Sequence, residues 1–290
     1  MRCLRTLLSV ALAAATSLSA AQTSSLRIPP RVEAGTSFSI ETRGSGAAVL
    51  YIVGPADVLR RNVQLGESIA FGPDDLHNAG HYSAFLRGGS ASESVQFDVV
   101  PSHQPETLSF LAKPSRLPVD LSGGISGVVY IFDAFRNLII QPQQVSFVLS
   151  VSDTPPQTRT VTSHEGVAWV KMNSASRAGL ANFQATAGNV EEKRIIQQVA
   201  GNPCRLRMNA RNSGARVALE TDPVRDCSGN PVPDGTIVTF TETYAGNQST
   251  VDVPLKRGVA KTELPAHKGA LISVATGVVL GNEIRLSGGQ

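Results

Sequence analysis

The sequence is poor in charge, in aromatic residues and in cysteine. Only 17% of its 290 residues are charged and 5% are aromatic, and its formal net charge is +3. A balance so close to neutrality does not favour a nucleic-acid or an anionic-membrane partner. Hydrophobic residues still make up 41% of the chain, which is enough for packed cores and excludes a disordered secreted segment.

Long apolar runs are also absent, except for a run from Leu7 to Ala15 near the N-terminus. It follows Arg2 and Arg5 and ends at the small residues 19–21. This order predicts a secretory signal peptide over residues 1–21. The alternative is a membrane anchor, but the run is too short to cross roughly 30 Å of hydrocarbon. We therefore expect a secreted or periplasmic protein, associated with the cell surface, with no membrane insertion after signal cleavage.

Cleavage would leave only two cysteines, Cys204 and Cys227. An oxidising compartment favours a disulfide between them, since two thiols cannot complete a zinc site. Strands at 205–208 and 216–221, turning at 212–214, would place both cysteines at the same end of one hairpin. A disulfide there is expected to contribute about 3 kcal/mol. The alternative is a reactive cysteine pair.

The segments 128–188 and 217–277 carry the same pattern twice. The aligned residues are Asp133, Asn137 and Phe147 with Asp226, Asn230 and Phe240, and Gly166-Val167-Ala168 with Gly258-Val259-Ala260, one residue tighter. A repeat of this kind indicates an array of like modules. Short alternating strands separated by turn residues predict that each module is an all-β sandwich.

The second copy contains Asp226-Cys227-Ser228-Gly229-Asn230-Pro231-Val232, then Val238-Thr239-Phe240, Gly258-Val259-Ala260 and the segment Gly269–Gly277. This string resembles the bacterial immunoglobulin-like modules of the invasin and intimin type. The first copy resembles it less closely, since Phe135-Arg136-Asn137-Leu138-Ile139 replaces the glycine and proline of the turn. The resemblance implies a structural or adhesive role at the bacterial cell envelope.

We predict an all-β protein of tandem immunoglobulin-like β-sandwiches at residues 23–101, 106–201 and 203–290. Proline-containing joints would connect them, because closely spaced prolines interrupt ladder pairing and stiffen a linker. In the first module, Ala79-Gly80-His81-Tyr82 enters a strand and resembles a tyrosine corner, in which the phenol hydrogen-bonds back to the preceding turn. The alternative is an ordinary tyrosine on a strand.

Candidate chemistry is sparse. His77 and His81 have ligand spacing, but no cysteine or third histidine is nearby. The carboxylate pairs Asp74-Asp75 and Glu191-Glu192 lie in predicted turns, and a Gly-x-Ser-x-Gly elbow is missing. We therefore expect no catalytic residue, no metal site and no cofactor.

Two positions keep alternative interpretations. Asp133 and Asp226 would either cap the turn before a strand or contribute to calcium sites at module joints. Trp169, the single tryptophan, would be either a partly buried sheet residue or a contact point for a partner.

The expected function is non-catalytic: a structural, adhesive, or protein- or glycan-binding role at the cell envelope, with an unknown protein or glycan as partner. The alternative is a periplasmic accessory or binding module that serves a separately encoded enzyme or export complex. An enzyme whose site is assembled across loops is the third possibility.

Overall fold

The computed structural model describes residues 25–88, 91–152 and 154–287, and their regular secondary structure consists of β-strands. Helices long and apolar enough to cross a membrane are absent from these residues. The predicted signal peptide, residues 1–21, lies outside them. The chain divides into two compact units, residues 1–100 and 101–290. The prediction of an all-β protein with immunoglobulin-like sandwiches is confirmed, whereas the boundaries 23–101, 106–201 and 203–290 stay a prediction.

The first unit is a sandwich of two sheets. Its strands are β1 (Leu26–Arg27), β2 (Arg31–Glu33), β3 (Phe38–Thr42), β4 (Ala47–Val53), β5 (Val58–Gln64), β6 (Ser68–Phe71), β7 (Gly80–Gly88) and β8 (Ala91–Val100). The sheet orders are β1-β3-β6 and β2-β8-β7-β4-β5. Ile40, Leu50 and Leu86 are almost fully buried and alternate with exposed or half-buried neighbours, so period-two patterning builds this core.

The second unit begins with another sandwich. Its strands are β9 (Thr107–Lys113), β10 (Arg116–Pro118), β11 (Ile125–Phe132), β12 (Gln144–Val151), β13 (Gln157–Thr162), β14 (Val167–Met172), β15 (Gly179–Ala187) and β16 (Val190–Val199). They form the sheets β14-β11-β9 and β10-β16-β15-β12-β13. Phe110, Phe147 and Phe183 meet between the sheets, with ring centroids 5.0 to 6.0 Å apart.

The remaining strands enclose a separate core within the same unit. They are β17 (Pro203–Arg205), β18 (Met208–Ser213), β19 (Arg216–Thr221), β20 (Arg225–Asp226), β21 (Ile237–Tyr244), β22 (Asn247–Pro254), β23 (Lys261–Pro265), β24 (Leu271–Thr276) and β25 (Val279–Arg285). The sheets β18-β19-β23 and β22-β21-β24-β25 pack around Phe240, Val238 and Val217, and β17 pairs with β20. We call these two sandwiches of the second unit the middle module and the last module.

The repeated pattern corresponds to repeated backbone structure. In both copies the aspartate N–H donates to the carbonyl of the asparagine four residues later, at 3.0 Å for Asp133 and for Asp226. The residue before each asparagine has a left-handed φ, +67° at Arg136 and +87° at Gly229. The substitution of glycine by arginine therefore leaves the turn unchanged, although a side chain in this region costs roughly 1–2 kcal/mol.

The tyrosine corner of the first unit is confirmed. The Tyr82 hydroxyl donates to the backbone carbonyl of Asn78 at 2.8 Å, and the side chain is fully buried. Burial, and then the negative charge of Asp57, raises the pKa of Tyr82 above its usual value. The corner fixes the entry of β7 into the sheet from the turn before it.

Replacing Tyr82 with phenylalanine is expected to lower the free energy of unfolding of the first unit by about 1 kcal/mol. The change removes one neutral hydrogen bond and leaves the Asn78 carbonyl without that donor. A shift of the urea midpoint measures the loss. Tyr51→Phe is the matched control, because Tyr51 is half-buried on the outer face of β4. Equal midpoints for the two variants would contradict the role of the corner.

Candidate functional site

Each repeated aspartate closes a turn with its carboxylate. Oδ1 of Asp133 accepts from the N–H groups of Phe135 and Asn137, at 2.9 and 2.8 Å. Oδ2 accepts from the Asn137 side-chain amide at 2.9 Å and from the N–H of Ser102 at 3.0 Å. Asp133 is fully buried, and Ser102 lies in the linker that leads into the middle module. One carboxylate thus holds both the turn and the entering chain.

Asp226 repeats this arrangement in the last module. Its Oδ1 accepts from the N–H groups of Ser228 and Asn230, at 3.0 and 2.8 Å. Its Oδ2 accepts from the Asn230 side-chain amide and from the N–H of Gly201, both at 2.9 Å. Gly201 belongs to the linker between the middle and last modules. The linker position is therefore set by the same chemistry in both copies.

These contacts support the capping interpretation of Asp133 and Asp226. A carboxylate has about four lone-pair positions, and four N–H donors point at each of these two. Burial is the largest influence on Asp226 and acts to raise its pKa, but the Asn230 side chain and the Gly201, Asn230 and Ser228 amides outweigh it. The pKa of Asp226 is therefore lowered, and these four donors stabilise its negative charge.

The turn that Asp226 closes also joins the middle module to the last module. Oδ1 of Asn230 accepts from the N–H of Ala178 at 2.8 Å, and its amide nitrogen donates to the Ser176 carbonyl at 2.8 Å. The Ser228 hydroxyl donates to the carboxylate of Asp120. Both hydrogens and the oxygen of the Asn230 amide are engaged, and the residue is buried. A satisfied buried amide of this kind fixes one relative position of the two modules.

The disulfide lies next to this joint. Cys204 and Cys227 are bonded, with their Cα atoms 4.8 Å apart. The strand positions differ slightly from the sequence prediction, because Cys204 lies in β17, which pairs with β20 in a separate short ladder. The hairpin of β18 and β19 begins only at Met208. The crosslink therefore secures the entering strand of the last module beside Asp226.

The two histidines considered as metal ligands do not share a site. Nε2 of His77 lies 3.0 Å from the carbonyl of Pro73, whereas Nδ1 of His81 lies 2.5 Å from Oδ1 of Asp98. In the part of the chain that the structure describes, three His, Cys, Asp or Glu residues do not come together in a metal-binding arrangement.

The carboxylate pairs are engaged by neighbouring basic residues. Asp75 forms an ion pair with Arg61 at 2.6 Å and also accepts from the N–H of Gly72. Glu191 and Glu192 pair with Lys193 and Arg194, at 2.8 and 2.7 Å. Asp75 lies in the predicted turn region, whereas Glu191 and Glu192 lie on β16 and not in a turn as predicted. Their ion pairs are typical of a solvated surface.

Trp169 is exposed rather than partly buried. It lies on β14 with 66% of its surface accessible, and its register partner on β11 is Val128, which also pairs with Leu111 of β9. Period-two alternation sends these three side chains to the outer side of the sheet. They form one continuous apolar row across all three strands.

Two further rows flank the apolar row. On one side Lys113, Ser126 and Lys171 are in register, and on the other side Ser109, Tyr130 and Val167 are in register. We call the nine residues of these three rows the tryptophan face. Sequence reasoning singled out Trp169 as a candidate contact point. It missed Leu111, Val128 and Tyr130, because the pairing of β9, β11 and β14 is a long-range property.

The architecture corresponds to that of bacterial immunoglobulin-like proteins. The solved structure of InvD from Yersinia pseudotuberculosis is similar, with a TM-score of 0.52 and 12% identity over 89% of this chain and 96% of that chain. Invasin, a bacterial integrin-binding protein, is similar with a TM-score of 0.50 and 10% identity over 84% of this chain. The match covers about half of that invasin structure, 54%.

The resemblance seen in the sequence is therefore confirmed at the level of the fold: the chain has the bacterial immunoglobulin-like fold of the invasin and intimin type. No protein-family profile matches the sequence, and no curated protein matches it either.

Proposed function

We propose that this chain is an exported, non-catalytic protein of the bacterial envelope that presents sheet and turn surfaces to a partner. The observation that carries the proposal is the fold likeness to InvD over 89% of this chain and 96% of that one. The disulfide adds support, because such bonds persist mainly in oxidising compartments. The predicted signal peptide at residues 1–21 would supply the route of export.

The distribution of ionisable groups supports a non-catalytic role. A shallow depression over β18, β19 and β23 is lined by charged side chains. Three of the lining side chains form ion pairs, since Lys261 contacts Glu220 at 2.8 Å and Glu263 contacts Arg216 at 3.0 Å. Acid–base catalysis needs groups whose pKa values are driven apart in a cleft. Open, paired surface charges favour solubility instead.

The joint between the middle and last modules suits a presenting role. Asn230, Asp226 and Ser228 link the last module to the 176–178 loop, to the Gly201 linker and to Asp120. A joint fixed by buried hydrogen bonds keeps surfaces of neighbouring modules in register for one partner. Less of the binding free energy is then lost to ordering the two modules.

We expect the chain in its native cells to be degraded by protease added to intact cells, and Cys204 and Cys227 to resist alkylation in trapped extracts. A variant that lacks residues 1–21 is the matched control, and its cysteines should alkylate fully. Reduced cysteines in the full-length chain would contradict export. Oxidised cysteines in a chain that is protected in intact cells would instead favour the alternative of a periplasmic accessory module.

A further inference from the structure

We propose that the tryptophan face is a docking site for a protein partner that presents apolar side chains flanked by carboxylates. This inference rests on the proposed function and specifies its binding surface. The face consists of an apolar row, Leu111, Val128 and Trp169, between a row with two lysines and a row with Tyr130. It lies on the outer side of the β14-β11-β9 sheet.

The central row of this face is exposed and apolar. Trp169 is 66% exposed and Leu111 is 53% exposed, although their inward-facing neighbours Val170 and Phe110 are buried in the core. Exposed aromatic and aliphatic side chains that are contiguous, rather than scattered, mark interaction sites. Tryptophan and tyrosine are also the residue types that most often contribute the largest share of binding energy.

The charge of the face specifies its partner. Lys113 and Lys171 occupy the two ends of one row, about 10 Å apart across three strands. Within the described part of the chain, neither lysine forms an ion pair. The nine residues of the face include no carboxylate, so its charge is uncompensated. A partner with acidic residues beside an apolar patch would complement both features at once.

A second copy of this chain fits less well. Three strands and three rows span on the order of 300 Å², whereas a standard interface needs about 800 Å² from each partner. Two copies placed face to face would also bring four ammonium groups together. The tryptophan face therefore suits the centre of a larger footprint on a different protein.

A glycan also fits less well. Sugar sites need convergent hydrogen-bonding groups in a concave site, whereas side chains on one side of a sheet project side by side. Ser109, Ser126 and Tyr130 supply the only hydroxyls of this face. Two of the three residues in the central row, Leu111 and Val128, are aliphatic. Such side chains gain free energy by covering other apolar side chains.

The single tryptophan makes the test direct, because emission excited selectively at tryptophan in the oxidised full chain reports on Trp169 alone. The probes are three synthetic twelve-residue peptides that alternate leucine with glutamate, leucine with lysine, or serine with glutamate. The leucine–glutamate peptide is expected to shift the emission to shorter wavelength and to protect it from acrylamide quenching. The other two peptides are expected to produce little change.

Variants with Trp169 retained locate the site. The double charge reversal Lys113→Glu and Lys171→Glu is expected to weaken binding of the leucine–glutamate peptide about tenfold or more. It is expected to strengthen binding of the leucine–lysine peptide. The matched control is Leu180→Ser with Ile195→Ser, which removes two exposed apolar side chains from the opposite sheet of the same module. This control should bind like the unchanged chain.

The proposal would be overturned if the leucine–glutamate and leucine–lysine peptides gave equal responses, or if no peptide gave a response. It would also be overturned if the control variant bound the leucine–glutamate peptide as weakly as the charge-reversal variant does. A blue shift that depends on protein concentration alone would identify a second copy as the occupant. A response only to an acidic polysaccharide, tested with polygalacturonate, would identify a glycan. If the chain stays inside the cell but binds the peptide, the docking site is supported and surface presentation is refuted. The docking proposal and the proposed function can therefore fail separately.

Discussion

Replacing Asp226 with alanine is expected to lower the free energy of unfolding of the last module by about 3 kcal/mol. The carboxylate accepts four N–H bonds, from Ser228, Gly201 and the backbone and side chain of Asn230. Hydrogen bonds to a charged group contribute about 1.5–3 kcal/mol each, and buried donors left without a partner add a desolvation cost. The expected total is smaller than the sum of these values, because water that reaches the linker can replace part of the lost hydrogen bonding.

Hydrogen–deuterium exchange checks this expectation, because β21 and β24 report on the core of the last module and β12 on that of the middle module. The variant should lose protection in β21 and β24 first. Asp252→Ala is the matched control in the same module: Asp252 is exposed and accepts one hydrogen bond, from the Thr239 hydroxyl. A loss of protection in the control as large as in Asp226→Ala would refute the special role of Asp226.

The same carboxylate gives the effect a pH dependence. The folded-state pKa of Asp226 is lowered, so its contribution is fully present above the unfolded value of about 3.9 and is lost as the pH falls through the folded value. The difference in stability between the unchanged chain and Asp226→Ala should therefore be constant near neutrality and should narrow below about pH 4. A difference that stays constant down to strongly acidic pH would contradict this.

Removing the disulfide by the double change Cys204→Ser and Cys227→Ser is expected to cost the last module about 3 kcal/mol. The bond closes a loop between residues separated by 23 positions, and a loop of this size removes that much conformational freedom from the unfolded chain. The urea midpoint of the last module measures the loss. Reduction of the unchanged chain should give the same midpoint as the double variant.

The double variant is its own control for the reductant, because its midpoint should not move when reductant is added.

A variant that combines this double change with Asp226→Ala tests whether the disulfide and the Asp226 turn act together. Cys227 follows Asp226 directly, and both secure the strand that enters the last module. Neighbouring sites of this kind are non-additive, so the combined loss should be smaller than the sum. Strict additivity would show that the crosslink and the turn act independently.

Local chemistry made several features predictable from the sequence. Tyr82 is the tyrosine of the Ala-Gly-x-Tyr pattern, and its hydroxyl donates a hydrogen bond to the backbone carbonyl of Asn78, four residues earlier. Asp226 and Asn230 are also four residues apart and close one turn. Such contacts involve few residues and little chain entropy, so the residue pattern is sufficient to indicate them.

Long-range contacts were not predictable in the same way. The amide of Asn230 reaches Ser176 and Ala178, which lie more than fifty positions earlier in the chain. Nothing in the local pattern of either segment specifies the other. The joint therefore depends on how two folded modules meet, and a turn residue in the sequence becomes an interface residue in the structure.

The sequence by itself determined the all-β architecture and the repeat, and it indicated the aspartate turns as one of two interpretations, because alternation, turn residues and capping act over a few neighbouring positions. Only the tertiary structure decided which outward-facing side chains become neighbours. Leu111, Val128 and Trp169 come from three strands and form one row only after β9 and β14 pair on either side of β11. The register of distant strands is set by packing of the whole core, and the composition of the tryptophan face follows from that register.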